Sequence, residues 1–252
     1  MKISRIICVI PARYESTRFP GKPLALICGK PMIQRVWERA KKVKLIDEVI
    51  IATDDKRIFD KAVSFGAKAV MTSPECKSGT DRIAQAVRNI KCSIVINLQG
   101  DEPLISPDII SNTIKGILKD TQAVVSTPVC LVDETENLSD TNSAKVVFDK
   151  NHYALYFSRS IIPNSTRYEK SKAGLYYKHI GLYVYKSDFL KKFVKLKESS
   201  LENTEKLEQL RILENGYKIK VVIVKKENSV PVDRPEDIKA VEKIIKMKGE
   251  RL

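Results

Sequence analysis

The sequence predicts an α/β fold: a mostly parallel sheet with helices on both faces, interrupted by a small inserted lobe of strands. Three observations carry this expectation. Across the first 120 residues, short apolar runs alternate four times with stripes of helical period. That β-α order implies right-handed crossovers and parallel pairing. Beyond residue 120 the helical stripes stop, and strand-like runs at 123–130, 144–148 and 154–157 follow with no long helix between them.

The elements follow in order. Residues 5–10 (RIICVI), closed by Pro11, read as a strand buried on both faces. Past a polar loop, Pro31 opens a helix whose stripe is Met32, Ile33, Val36, Trp37, Ala40 and Val43. A second strand is expected at 48–53, and a helix at 55–65 stopped by Gly66. The third strand is 68–71, the third helix 80–90, and the fourth strand 93–98. Ser106 as N-cap and Pro107 in the first turn open the next helix. Later, 166–177 is polar and reads as an exposed loop, 178–185 as a strand, and 187–196 and 201–215 as helices. A strand at 217–224 and a helix at 235–247 close the chain. No repeat or linker divides it, so a single domain over 1–252 is expected, with the lobe at about 123–185.

Composition excludes several classes. The chain has 252 residues, 43% hydrophobic and 30% charged, so it can bury a core and is not disordered. Its longest apolar stretch, 6–12, falls far short of the roughly 20 residues of a membrane helix. Broken by Pro11 and Arg13, it does not read as a secretory signal either. A cytoplasmic protein without membrane insertion is expected. Forty-five Lys+Arg against 31 Asp+Glu leave a net charge of +14, which attracts anions. The lysines are interleaved with acids, as in Lys191, Lys192, Lys195, Lys197, Glu198 and Glu202, and form no basic arm for nucleic acid. Cys8, Cys28, Cys76, Cys92 and Cys130 contain no CxxC pair and suit a reducing compartment. With only His152 and His179, a Cys/His zinc site of ordinary spacing is excluded. A metal would sit on carboxylate oxygens, which favours magnesium or manganese.

Two segments fall at strand carboxyl ends, where open α/β sheets bind ligands. PARYESTRFPGKPL (11–24) has neither a Walker A nor a GxGxxG glycine pattern. It supplies three cations, Arg13, Arg18 and Lys22, with the Ser16 and Thr17 hydroxyls and the amides of a turning loop. Together these suit a polyphosphate, since guanidinium forks take two oxygens each. QGDEP (99–103) follows the fourth strand. Gly100 permits close backbone approach, and Asp101 projects a carboxylate toward the place the phosphates would occupy.

These blocks, with ATDD, KSGTDR, KVVFDKNHYALYFSRSIIP, KHIGLYVY, KLEQLRILENG and VDRPED in this order, resemble the 3-deoxy-manno-octulosonate cytidylyltransferases. The resemblance runs from about Ile6 to Ile245; ALYFSR with LEQLR carries the branch. It implies a Rossmann-like fold of the nucleotide-diphospho-sugar transferase type and a homodimer formed through the inserted lobe. It implies transfer of CMP from CTP to the anomeric hydroxyl of 3-deoxy-manno-octulosonate (KDO), for lipopolysaccharide or capsule synthesis. CTP is then held by Ala12, Arg13, Ser16, Thr17, Arg18 and Lys22, and by Ser78, Gly79, Thr80 and Arg82. Mg2+ is held by Asp101 and Asp233, and catalysis falls to Lys22, Arg13, Asp101 and Asp233. Gln99, Arg159, His179, Tyr183, Glu208 and Gln209 line the sugar pocket.

The residue chemistry fits, with alternatives. Arg159 suits a sugar carboxylate through bidentate geometry, or is a surface arginine at a strand end. His179 is a hydroxyl partner, or a hydrogen-bonded core histidine. Glu208 and Gln209, adjacent on the expected helix, do not both face one pocket squarely. Asp233 is a metal ligand, or satisfies amides where Pro235 starts a helix. Pro231 stands where the family usually has glycine, and NSTRYEK after the IIP at 161–163 lacks an expected aromatic. Both departures bear on recognition of the sugar's far end. A cytidylyltransferase for another acidic sugar, an amino-KDO or a nonulosonate, is the near alternative. A nucleic-acid binder or a nicotinamide dehydrogenase fits less well.

Overall fold

β1 (Ile6–Ala12) is almost wholly buried, as its side chains require. It pairs in parallel with β4 (Glu48–Thr53) on one side and β6 (Ile94–Leu98) on the other. β5 (Lys68–Met71) extends the sheet beyond β4, giving the order β5-β4-β1-β6. The computed structural model describes residues 5–16, 18–133, 136–165, 176–225, 231–247 and 249. They fall into two compact units, Met1–Ser111 with Glu227–Leu252, and Asn112–Lys226. The lobe expected at about 123–185 within a single domain compares with a second unit that begins at 112 and ends at 226.

In the first unit the chain steps from β1 out to β4 and β5, then returns to add β6 on the other side. Right-handed crossovers put α1 (Met32–Lys41) and α2 (Lys56–Ser64) on one face and α3 (Gly79–Ala86) on the other. The reversal between β1 and β6 is a topological switch point, and the loops leaving both strands open at its carboxyl edge. Between β1 and α1 lies a hairpin not expected from sequence, β2 (Leu26–Ile27) and β3 (Lys30–Pro31). Cys28 and Gly29 form its turn, both with positive φ, which matches the twist of paired strands. α8 (Asp237–Met247) returns late in the chain to pack Val241 and Ile245 with Ile27, Met32, Leu104 and Val232. That cluster anchors the segment just before α8 beside the first loop.

α4 (Pro107–Lys119) leads into the second unit, whose central strand is β7 (Val125–Leu131). β12 (Ile219–Ile223) runs parallel to it. β11 (Leu182–Lys186) and β10 (Tyr177–His179) pair antiparallel on its other side, and β8 (Lys145–Phe148) and β9 (Ala154–Ser158) continue outward from β10. The sheet expected to be mostly parallel is therefore parallel in the first unit and mixed in the second. Among the described residues no helix is long and apolar enough to cross a membrane.

Three expectations need correction. The strand at 178–185 is two strands, parted opposite Pro128, which has no amide to give the ladder. Ile180 N still donates to Pro128 O at 3.1 Å. The helix at 201–215 is α6 (Ser200–Glu205) and α7 (Leu210–Glu214), broken where Lys206 turns left-handed at φ 54°. Gln209 is thus a helix N-cap, not an interior residue. The helix at 80–90 begins at Gly79 and ends at Ala86. Most of the loop expected at 166–177 lies outside the described residues, but Tyr176 is buried and Tyr177 begins β10.

Candidate active site

Three segments distant in sequence converge at the switch point of the first unit. The Lys22 ammonium donates to Asp101 Oδ2 at 2.8 Å and Asp233 Oδ1 at 3.4 Å. Arg18 meets the same Asp233 carboxylate, Nη2 to Oδ1, at 3.4 Å. The first loop is shaped for this. Gly21 N donates to Tyr14 O at 2.8 Å, and Gly21 takes φ 71°, a conformation that favours glycine. A 3₁₀ turn over Lys22–Leu24 follows, and the Arg57 guanidinium stacks 3.3 Å above the Tyr14 ring. Ser16 Oγ accepts from Phe19 N at 3.3 Å, holding the backbone. Arg13 donates to Cys76 O, tying the loop to the segment before α3. Thr17 lies outside the described residues.

Asp233 is brought in by a contact no motif announced: Val232 N donates to Asp101 O at 2.9 Å. The two readings of Asp233 separate here. Asp237 Oδ2 accepts from the amides of Asp233 and Arg234, both at 2.8 Å, and so does the helix-start work. The Asp233 carboxylate faces the two cations instead. Gly100 packs closely, since a Cβ there would lie 3.2 Å from Pro11 O. Two half-exposed carboxylates on one ammonium are a hard-oxygen cation site, and magnesium needs only one or two carboxylates plus phosphate oxygens. The donor set fits that ion, although no group of three or more His, Cys, Asp or Glu side chains gathers among the described residues.

The block over 78–82 serves mainly to start α3. Ser78 is its N-cap, accepting from Asp81 N at 3.1 Å, and Asp81 returns to Ser78 N at 3.0 Å. Gly79 lies against Pro11, and Ala12 is buried at the end of β1. Thr80 is buried and accepts from Asn97 Nδ2 at 3.4 Å; Asn97 Oδ1 in turn accepts from Gln99 Nε2 at 2.8 Å. Arg82 is turned into the fold. It is fully buried, paired with Asp54 at 2.5 Å and bonded to Thr72 Oγ1. Its guanidinium ties ATDD to α3.

Of the residues expected at a sugar, Arg159, His179, Tyr183, Glu208 and Gln209 belong to the second unit, whereas Gln99 belongs to the first. His179 Nε2 lies 2.8 Å from Thr127 Oγ1, whose single hydrogen goes to Leu182 O at 2.7 Å. The imidazole must therefore donate from Nε2, leaving Nδ1 an acceptor. Burial lowers the His179 pKa to about 4, so the ring is neutral near pH 7. The Tyr183 ring lies 5.1 Å from it, and burial, with Tyr185 and Glu208 adding, raises that phenol well above its ordinary value. Gln209 is buried, and its Nε2 has no hydrogen-bond partner among the described residues. An orphan donor of that kind awaits an acceptor. Arg159 donates to Glu205 O at 2.8 Å, Thr141 O at 2.7 Å and Lys206 O at 3.2 Å. Three of its five N–H groups are thus engaged, all by backbone carbonyls. Asn97, Asp237, Lys145 and Glu205 were missed from sequence, although Glu205 directly precedes KLEQLR.

A cytidylyltransferase family model matches residues 7–220. The chain is 52% identical to the 3-deoxy-manno-octulosonate cytidylyltransferase of Thermodesulfovibrio yellowstonii, covering 95% of this chain and 97% of that one. It is 45% identical to the enzyme of the same name from Syntrophus aciditrophicus, over 96% and 98% of the two chains. Among solved structures it resembles CMP:2-keto-3-deoxy-manno-octonic acid synthetase complexed with CTP, with a TM-score of 0.91 and 40% identity. That match covers 97% of this chain and 100% of the other.

Proposed function

The chain belongs to the cytidylyltransferase family, among its 3-deoxy-manno-octulosonate members, and from that premise we propose that it transfers CMP from CTP to KDO. The anomeric hydroxyl oxygen bonds to the α-phosphorus as the bond to the departing pyrophosphate breaks, and the hydroxyl proton is released. The observation that carries this reading is the meeting of Lys22, Asp101 and Asp233 at the switch point.

Nucleotidyl transfer depends on positioning and on neutralising charge at the phosphate oxygens. Arg13, Arg18 and Lys22 supply that charge from the first loop, and the amides around Gly21 follow the triphosphate. Asp101 and Asp233 would hold magnesium, which when bound adds positive charge at the phosphate oxygens. Their shared hold on the Lys22 ammonium supports this assignment, because both carboxylates already serve one cation. On the sugar side, Arg159 takes the carboxylate, while His179 Nδ1 and Glu208 accept from hydroxyls. Gln209 Nε2 and the Tyr183 phenol donate to them.

Pyrophosphate release, assayed with CTP, magnesium and a panel of KDO, an amino-KDO and a nonulosonate, tests the reading. Turnover should be fastest with KDO; a higher kcat/KM for a nonulosonate would overturn the choice of sugar. A two-fold dimer through the strands of the second unit is part of the same proposal. Half-exposed Tyr153 and Tyr156 and exposed Leu155 on one short segment support it. A sedimentation mass of one chain would refute it. Five cysteines, none in a disulfide, support a reducing cytoplasm. The product's use in lipopolysaccharide or capsule belongs to the same reading.

A further inference from the structure

Arg159 is held at five points within the second unit. Its amide donates to Glu205 Oε2 at 2.9 Å, and its carbonyl accepts from Lys145 Nζ at 3.1 Å. The guanidinium rests on the carbonyls of Glu205, Lys206 and Thr141. Two of these five points come from Glu205 itself, and a third from its neighbour Lys206. The Glu205 carboxylate also accepts from Ser158 Oγ at 2.6 Å and Tyr156 Oη at 3.4 Å. One side chain thereby holds three residues of the YFSR block. Lys206, left-handed at φ 54°, then turns the chain into Glu208 and Gln209. Burial opposes charge on Glu205, but hydrogen bonds from Ser158, Arg159 and Tyr156 outweigh it and lower its pKa.

We propose that Glu205 is a positioning residue of the sugar site, acting through Arg159 and setting the angle between YFSR and the Glu208–Gln209 turn. This rests on the reading of Arg159 as the partner of the sugar carboxylate. Glu205 touches no substrate; it supplies the register in which two distant segments meet one sugar. Lys145 assists from the other side. Its buried ammonium donates to the carbonyls of Asp140, Ser143 and Arg159, so the strand end cannot slide.

The test is a double-mutant cycle on Glu205→Ala and Arg159→Ala, with KM and kcat measured separately for KDO and CTP. Glu205→Ala should lower kcat/KM for KDO about 10²-fold, as a displaced positioning group does, and leave the KM for CTP unchanged. On the Arg159→Ala background the same substitution should add little. Glu205→Gln, which keeps an acceptor for the Arg159 amide, should recover most of the activity. Should Glu205→Ala not fold, the cycle runs with Glu205→Asp, whose shorter reach should raise the KM for KDO. Additive losses, or an equal rise in the KM for CTP, would overturn the role of Glu205 while leaving Arg159 at the sugar. If Arg159→Ala itself leaves KDO kinetics unchanged, the reading of Arg159 falls and this proposal with it.

Discussion

The candidate residues fall into two halves, one in each unit, built on opposite principles. In the first unit, Arg18, Lys22, Asp101 and Asp233 sit on loops beyond strand ends and pair with one another, part-exposed. In the second, Arg159 is fastened to backbone carbonyls, His179 is kept neutral by burial, and Gln209 is enclosed. The first half holds charges that can be re-paired; the second holds a shape that cannot easily change. A polyphosphate with its cation presents one kind of group repeatedly, which mobile charges can follow. A sugar acid presents several hydroxyls in one stereochemistry, which only fixed partners distinguish. Substitutions in the first half should therefore act on chemistry with the fold intact, and those in the second on geometry.

The largest expected effect tests the first half. Lys22→Ala and Asp101→Asn should each lower kcat about 10²–10³-fold, since each removes a full charge from the reacting phosphates or their cation. Their melting temperatures should stay close to that of the unaltered protein, because surface ion pairs contribute little to stability. Ser16→Ala, which loses only the contact to Phe19 N, should cost several-fold at most. If Lys22→Ala instead melted well below the unaltered protein with kcat preserved, the cluster would be a structural staple.

Arg82 sharpens the contrast from within the first unit. The resemblance places it near the nucleotide, whereas its guanidinium is buried against Asp54 and Thr72. Arg82→Met should destabilise by about 3 kcal/mol, because removing one partner strands the other's charge. The CTP affinity of the folded variant should remain near that of the unaltered protein. Urea unfolding and titration calorimetry read the two quantities separately. Weakened CTP binding at full stability would return Arg82 to the nucleotide.

How far the sequence could be read follows the same division. Apolar runs buried on both faces, and loops with more charge than a turn needs, are local signals; β1, β4, β5, β6 and the Lys22 loop were legible from them. Breaks in the second unit were not. The apolar spacing over 201–215 continues through Leu207 and Leu210, so nothing local marks the left-handed turn at Lys206. That turn is held by Arg159, 47 residues before Lys206 in the chain. Likewise Pro128 could be read as a strand residue, but not the parting of β10 from β11 opposite it. The resemblance also places Arg82 near the nucleotide without saying which way its side chain turns. Legibility fails where a residue's role is decided by a partner far along the chain.

The smallest expected effect concerns His179 and the rigidity of the second half. Its native pKa of about 4 lies below the ordinary 6.5, because burial disfavours the charged ring. Between these values the unfolded chain binds a proton that the native ring does not, so stability falls as pH drops through this window. The contribution, fully present above pH 6.5, should be reduced by about 2 kcal/mol at pH 5. His179→Gln can still donate to Thr127 Oγ1 but does not titrate. Its unfolding free energy should therefore decline less than that of the unaltered protein between pH 7 and pH 5, by about the same 2 kcal/mol. The carboxylates and His152 remain in both proteins and cancel in the comparison. Parallel pH profiles would mean that the native ring takes up its proton as readily as the unfolded one. The imidazolium would then need an acceptor at Nδ1, since Nε2 already faces Thr127, and the second unit would hold a movable charge like the first.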